Sequence, residues 1–325
     1  MKIGVVGAGS WGSAFGLYLA GLGYDVTFWA REVEVVDSIN RSKVNELFLP
    51  GFRFPEWVRA VYDINELNDC EVLVNAVPVQ FIRGVYSFLK FKPRVIVNLS
   101  KGIEIQTGMR VSEIFGSMFD SRYVVISGPS FAKEVAKGKP TACVTASLDG
   151  ELARRISKIF SSNRFRLYYS DDVVGVELGG SLKNIIAIAC GISDGLGLGL
   201  NARAALINRG LVEMARFGSF LGAKRETFFG LSGLGDLVLT ATGDLSRNRR
   251  FGIELAKGKR KEDLLSERYV VEGVFTTQAV YSIATKFSID MPITTEVYKI
   301  LFLDKDPRES LEELMGREIK YESLF

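Results

Sequence analysis

A β-rich run, Ile3 to Val6, leads straight into Gly7-Ala8-Gly9-Ser10-Trp11-Gly12, and no other stretch restricts the possible folds so sharply. A GxGxxG placed after a strand and before a helix permits the tight turn, lets the backbone approach a pyrophosphate and brings helix and strand close together. The N–H groups at the helix start then face the anion. The helix reads as Ser13 to Ala20, with Gly21 and Gly23 behind it, and a second β-rich run, Val26 to Trp29, follows. That order predicts a dinucleotide site in which Gly7, Gly9, Ser10, Trp11 and Gly12 take part. At the end of the second strand, where an NAD enzyme carries Asp or Glu for the ribose 2′-hydroxyl, this chain has Ala30-Arg31. A guanidinium suits a 2′-phosphate, so Arg31 predicts competence with NADP, while the neighbouring Glu32 keeps NAD open.

Further short apolar runs follow at Val72 to Val77, Val95 to Leu99, Val124 to Ile126 and Cys143 to Ala146, separated by helix-like stretches. Such runs predict a parallel sheet covered on both faces, hence an N-terminal α/β domain of Rossmann type, doubly wound, over residues 1–170. From Asp171 onward helix-period segments dominate, at Val173 to Cys190, Ala202 to Phe217, Thr276 to Lys286 and Thr294 to Leu303. The expectation there is an all-helical substrate and catalytic domain over 171–325. With 325 residues, 47% of them hydrophobic, the chain has apolar material for two such cores.

Composition narrows the chemistry. Histidine is absent, which removes a Ser-His-Asp triad and histidine-ligated metals and leaves Lys, Asp, Glu, Tyr or Cys for proton transfer. No metal site is expected. Cys70, Cys143 and Cys190 have no CxxC spacing and lie in or beside apolar segments, as reduced core residues do. The 41 basic and 38 acidic residues are interleaved, so no nucleic acid partner is expected. There is no basic segment followed by a long apolar run at the start of the chain, and the apolar stretch Asn184 to Ile192 stops at Ser193-Asp194. These features predict a cytoplasmic protein without membrane insertion.

Two lysines stand out. Lys183 lies over Gly179 and Gly180 and under Ala187 on one helical face, which predicts a face cleared for another molecule, since helix glycines cost about 1 kcal/mol each. Lys101, in Asn98-Leu99-Ser100-Lys101-Gly102, follows a parallel strand at its C-terminal end, where open α/β sheets bind ligands. Two lysines converging on one site depress each other's pKa and move one toward the neutral form that a proton acceptor requires. Asp236 can orient or pair a lysine, and Ser246-Arg247-Asn248 offers hydroxyl, guanidinium and amide to a phosphate.

These residues resemble the soluble, bacterial-type sn-glycerol-3-phosphate dehydrogenases. The resemblance is carried in order by Gly7 to Gly12, Leu47 to Pro55, Asn98 to Glu104, Ser127 to Ala136, Gly179 to Leu211, Leu231 to Gly252 and Val271 to Thr277. It implies interconversion of sn-glycerol 3-phosphate and dihydroxyacetone phosphate with NADP or NAD, supplying glycerol 3-phosphate for phospholipid synthesis, by a homodimer. Carried onto matching positions, it implies that Ser10, Trp11 and Arg31 contact the dinucleotide, with Ala132, Arg247, Val270 and Glu272 lining its nicotinamide end. Lys101, Gly128 and Ser130 contact the small phosphorylated substrate, Lys101 touching cofactor as well. Lys183 is the proton acceptor, and Asp236, Ser246, Arg247 and Asn248 complete the substrate and phosphate site. Val79-Gln80 and Thr240-Ala241-Thr242-Gly243 depart from the family's usual residues without touching any of these positions. Two other readings are a related 2-keto or hydroxy acid reductase and a non-catalytic dinucleotide sensor; a sensor has no physical need for the paired lysines.

Overall fold

The computed structural model describes residues 1–265, 270–319 and 321–322. Its strands are β1 (Lys2–Val6), β2 (Asp25–Trp29), β3 (Val44–Asn45), β4 (Leu49–Arg53), β5 (Arg59–Val61), β6 (Val72–Asn75), β7 (Val95–Asn98), β8 (Arg122–Ser127), β9 (Thr141–Ala146) and β10 (Phe165–Ser170). The first six α-helices are α1 (Ser10–Gly21), α2 (Val33–Ser42), α3 (Ile82–Tyr86), α4 (Val111–Met118), α5 (Ala132–Ala136) and α6 (Gly150–Phe160). Those that follow are α7 (Val173–Gly195), α8 (Gly199–Phe220), α9 (Asp236–Thr242), α10 (Arg247–Ala256), α11 (Lys261–Leu265), α12 (Glu272–Lys286), α13 (Pro292–Phe302) and α14 (Pro307–Met315).

Two compact units result: Met1–Ser100 with Val111–Val173, and Lys101–Arg110 with Val174–Phe325. The first contains an eight-stranded sheet in the order β10-β9-β8-β7-β6-β1-β2-β5. Ile3 to Val6 are completely buried, because β1 is central and has neighbours on both edges and helices on its faces. Register aligns the C-terminal ends of four parallel strands: Val6 opposite Trp29 and Asn75, and Asn75 opposite Asn98. The loops carrying Gly7, Arg31 and Ser100 leave from this edge.

The sheet is mixed, where the apolar runs predict a parallel one. β8 and β9 pair antiparallel, and β10 runs parallel to β9. The connection between β8 and β9 holds only the five-residue α5, which packs against α1. It supplies no long helix to cover a parallel crossover. β10 escapes the sequence pattern because it is an edge strand: Phe165 and Leu167 are buried while Arg166 and Tyr168 between and after them are exposed.

The second unit is helical, with its own core built from α7, α8, α12 and α13 around residues such as Leu182, Ile186, Phe217, Val280 and Val297. α7 runs past Ser193-Asp194 to Gly195 and is, among the described residues, the one helix long and apolar enough to cross a membrane. Its most apolar window is 94% buried within the protein, so it is the central helix of this core.

α13 shows how a buried carboxylate organises the unit. Pro292 at its start has no N–H to satisfy, and Met291 before it offers no capping side chain. The carboxylate of Glu213 on α8 takes the cap's place, accepting from the N–H groups of Ile293 (2.6 Å) and Thr294 (3.2 Å) and from the Thr294 hydroxyl (3.1 Å). Burial nevertheless pushes the Glu213 carboxyl up to about 7, against these hydrogen bonds. A carboxyl bound more tightly to its proton in the folded state gives stability that is complete below its ordinary value of 4.5 and is lost as pH rises through about 7. Urea unfolding of wild type and Glu213→Gln across that window should therefore show wild type losing stability relative to the variant as pH rises; parallel curves would mean that Glu213 stays ionised throughout.

Candidate active site

In the sheet unit, α1 begins at Ser10, earlier than the sequence suggests, so Ser10, Trp11 and Gly12 form its first turn. Gly9 stands at the N-cap, with no capping side chain and no acidic residue in the first turn. A Cβ added at Gly9 would meet nothing within 4 Å, whereas one at Gly12 would lie 2.0 Å from the Gly7 carbonyl oxygen. The open face at Gly9 and the positive helix terminus fit a pyrophosphate, while the missing side chain at Gly12 allows α1 to pack on its own turn. Arg31 is exposed on the loop after β2 and pairs with Glu32 at 3.1 Å, so the two residues that argue for different cofactors hold each other. At the end of β8, Gly128 is buried and its carbonyl accepts from the Ser130 hydroxyl at 2.9 Å; Ala132 opens α5.

The helical unit brings together Lys101, Lys183 and Asp236. Lys183 Nζ lies 2.6 Å from Asp236 Oδ1, and Lys101 Nζ lies 2.5 Å from Oδ2 of the same carboxylate. Asp236 and Lys183 are buried and Lys101 is partly so. Asp236 is the first residue of α9, where a negative charge also suits the helix dipole.

Gly179 corrects one expectation. The space its missing side chain leaves on α7 is filled by protein: a Cβ there would come 2.7 Å from the Ser232 carbonyl oxygen. Ser232 belongs to a single π-helical turn, Leu231–Gly235, that leads directly into α9. The glycine thus lets this turn press against α7 and sets Asp236 beside Lys183 rather than opening a path for a ligand.

Sequence reasoning passed over Thr240, which is buried one turn after Asp236 and accepts a hydrogen bond from Lys183 Nζ at 2.7 Å. Its own proton is directed to the Asp236 carbonyl oxygen, four residues back, at 2.6 Å, leaving a lone pair toward the amine. The i,i+4 spacing of acid and hydroxyl was the available signal. A neutral lysine has two N–H bonds and one lone pair; with both N–H bonds directed at Asp236 and Thr240, the lone pair is left to take a proton.

Electrostatics bring the neutral state within reach just above neutrality. Burial pushes Lys183 down to about 8; Asp236 acts in the opposite sense, and the Lys101 ammonium adds to the lowering. For Asp236, burial alone would raise the carboxyl, but the ammonium groups of Lys101 and Lys183 outweigh it and hold it below the ordinary carboxylate range. The carboxylate therefore stays charged while the proton exchanges at the amine.

α10 carries the other candidates. Its backbone packs directly on α7, since a Cβ at Gly252 would lie 2.2 Å from the Ile188 carbonyl oxygen. Asn248 donates to Asn184 Oδ1 at 2.9 Å, next to Lys183 in the chain, and accepts from the Gly273 N–H at 3.0 Å, tying α10 to α7 and α12. Ser246 caps α10 by accepting from the Arg249 N–H, and Arg247 is exposed on the first turn. Both Ser246 and Asn248 thus have structural partners within the fold. Val270 and Glu272 are half-buried at the start of α12. Among the described residues no group of His, Cys, Asp or Glu side chains is placed to hold a metal.

Residues 2–153 match the sequence profile described as NAD-dependent glycerol-3-phosphate dehydrogenase N-terminus, and residues 172–312 match the corresponding C-terminus. A glycerol-3-phosphate dehydrogenase [NAD(P)+] from Geobacter metallireducens is 49% identical over 333 residues, covering 99% of this chain and 98% of the relative. One of the same description from Nitratidesulfovibrio vulgaris is 48% identical over 99% of this chain and 100% of its own length. The crystal structure of glycerol-3-phosphate dehydrogenase from Coxiella burnetii superposes with a TM-score of 0.92 at 42% identity, over 97% of this chain and 99% of that one. A ketopantoate reductase from Ralstonia eutropha shares the fold at 15% identity and a TM-score of 0.60, over 96% of this chain and 100% of that one. With both halves matched and near half of all positions identical along the whole length, the chain belongs to the NAD-dependent glycerol-3-phosphate dehydrogenase family.

Proposed function

We propose that Lys183 is the proton acceptor and donor of this glycerol-3-phosphate dehydrogenase, at the C2 oxygen of a substrate interconverted between sn-glycerol 3-phosphate and dihydroxyacetone phosphate. The observation that carries the reading is the Lys183 amine with two fixed acceptors, Asp236 and Thr240, and a proton affinity near the working pH. A bound NAD or NADP supplies the hydride acceptor or donor, and the first turn of α1 with Gly7, Gly9, Ser10, Trp11 and Gly12 is where the chain would hold its pyrophosphate. In oxidation, neutral Lys183 takes the C2 hydroxyl proton; in reduction its ammonium form returns it. Lys101, fixed on Asp236, stabilises negative charge developing on that oxygen. Arg247 and the N-terminus of α10, with Asn248 and Ser246, receive the substrate phosphate; Gly128 and Ser130 are the substrate contacts that the family resemblance implies. Ala132, Val270 and Glu272 line the nicotinamide, and Arg31 favours NADP once its pair with Glu32 opens toward a 2′-phosphate. The proposal extends to a homodimer in the cytoplasm and supply of glycerol 3-phosphate to phospholipid synthesis.

The primary test follows nicotinamide absorbance on mixing the protein with dihydroxyacetone phosphate and NADPH or NADH. A substrate-dependent decline is expected; a flat trace with cofactor bound would overturn the reading. Lys183→Ala should lose on the order of 10²–10⁴-fold in kcat while still binding cofactor. Glycerol 3-phosphate oxidation should rise with pH to a plateau above about 8, and reduction should fall over the same range, because the two directions need opposite protonation states of Lys183. Arg31→Ala should lower kcat/KM for NADPH more than for NADH; an unchanged ratio would remove Arg31 from cofactor selection.

A further inference from the structure

The ten residues Lys101–Arg110 lie in sequence between β7 and α4 of the sheet unit, yet they pack with the helical unit. Three anchors hold them there. Ser181 on α7 accepts from the Gly102 N–H at 2.8 Å, and the Ser181 proton is directed to the Glu177 carbonyl oxygen at 2.7 Å. Ile103 is completely buried in the helical core. Arg110, at the far end of the loop, makes an ion pair of 2.9 Å with Glu177, in which the Glu177 side chain is 4% exposed. The loop is also closed on itself, with the Gly108 N–H donating to the Glu104 carbonyl at 2.8 Å and the Glu104 N–H to that of Met109 at 3.0 Å.

Ser181 and Glu177 sit one turn apart on α7, and Lys183 follows Ser181 by two residues. The helix that carries the proton acceptor therefore also grips both ends of the segment that delivers the second ammonium. We propose that Ser181 and the Arg110–Glu177 pair are positioning residues that seat the 101–110 loop on α7 and thereby hold the Lys101 ammonium on Asp236 beside Lys183. The charged groups against Lys183 are Asp236 from α9 and Lys101 from this loop. Loosening the loop withdraws one of them: Lys183 loses a repelling ammonium, and Asp236 is left to pair with Lys183 alone. Both changes raise the proton affinity of Lys183.

The catalytic consequence rests on Lys183 being the proton acceptor, so the test includes a readout independent of turnover. Trace acetylation with acetic anhydride, quantified at Lys183 by peptide mass spectrometry as a function of pH, titrates this amine directly. Lys101→Ala should move its midpoint toward higher pH. Ser181→Ala and the isosteric Glu177→Gln should move it in the same direction by less, and Ser181→Ala should add nothing in the Lys101→Ala background. In kcat for oxidation, the Ser181 and Glu177 variants should each lose on the order of 10- to 100-fold, as misplacement of a catalytic group does. Thermal unfolding run alongside separates a merely structural role, which would lower Tm and leave the midpoint in place. An unmoved midpoint in both folded variants, with Lys101→Ala shifted, overturns the positioning role. A shifted midpoint with unaltered oxidation supports the clamp and fails the assignment of Lys183 as the acceptor.

Discussion

One buried carboxylate governs the chemistry of the helical unit. Asp236 receives Lys183 on one oxygen and Lys101 on the other, with almost no exposure to solvent. Burying an isolated carboxylate is prohibitive, and burying two ammonium groups with one carboxylate leaves a net positive charge. Burial is what chiefly drives Lys183 toward its neutral form, and the excess positive charge, carried by Lys101, adds to it and gives the cluster a field that suits an anion. Remove either lysine and Asp236 becomes half of an ordinary ion pair; remove Asp236 and two ammonium groups face each other in a site poor in water.

Hydroxyls on helices supply the fine adjustment. Thr240 and Ser181 both have the carbonyl four residues back as their nearest acceptor, at 2.6 and 2.7 Å, so each presents a lone pair outward. Thr240 presents it to Lys183, and Ser181 to the backbone of the Lys101 loop. The same small device orients the Lys183 amine in one case and the loop that carries Lys101 in the other. Neither depends on a long side chain whose position would have to be fixed at an entropic cost.

Much of this was legible in residue order because it rests on local patterns. The strand, glycine turn and helix from Ile3 to Ala20 declare a dinucleotide fold within one short window, and Lys183 and Lys101 stand out against their own neighbours. What escaped depends on distant partners. Thr240 is unremarkable until α9 lies on α7; Glu213 looks like a surface residue of α8 until the N–H groups of Ile293 and Thr294 claim it. The helix glycine at 179 was read correctly as a sign of close approach and wrongly as to what approaches, because a missing side chain does not say whether backbone or ligand fills the space. The antiparallel pairing of β8 and β9 was hidden for a similar reason, since apolar runs mark burial and carry no direction.

α7 draws these threads onto a single element. Along one helix, Glu177 and Ser181 grip the Lys101 loop, Gly179 admits the turn that carries Asp236, Lys183 meets that carboxylate, Asn184 ties down Asn248, and the Ile188 carbonyl lies against α10 at Gly252. A helix fixes the relative positions of its residues far better than a loop does, so groups contributed by four separate segments inherit their mutual geometry from the 1.5 Å rise of one backbone. This also explains why a helix so apolar retains five polar or charged side chains, Glu177, Ser181, Lys183, Asn184 and Ser193, in buried positions. Four of the five have an assigned partner on another segment, and all four partners belong to the site or to the elements that frame it. The apolar remainder of α7 supplies the burial that makes those polar contacts strong, so the composition that resembles a membrane span is the one a scaffold for buried charged groups requires.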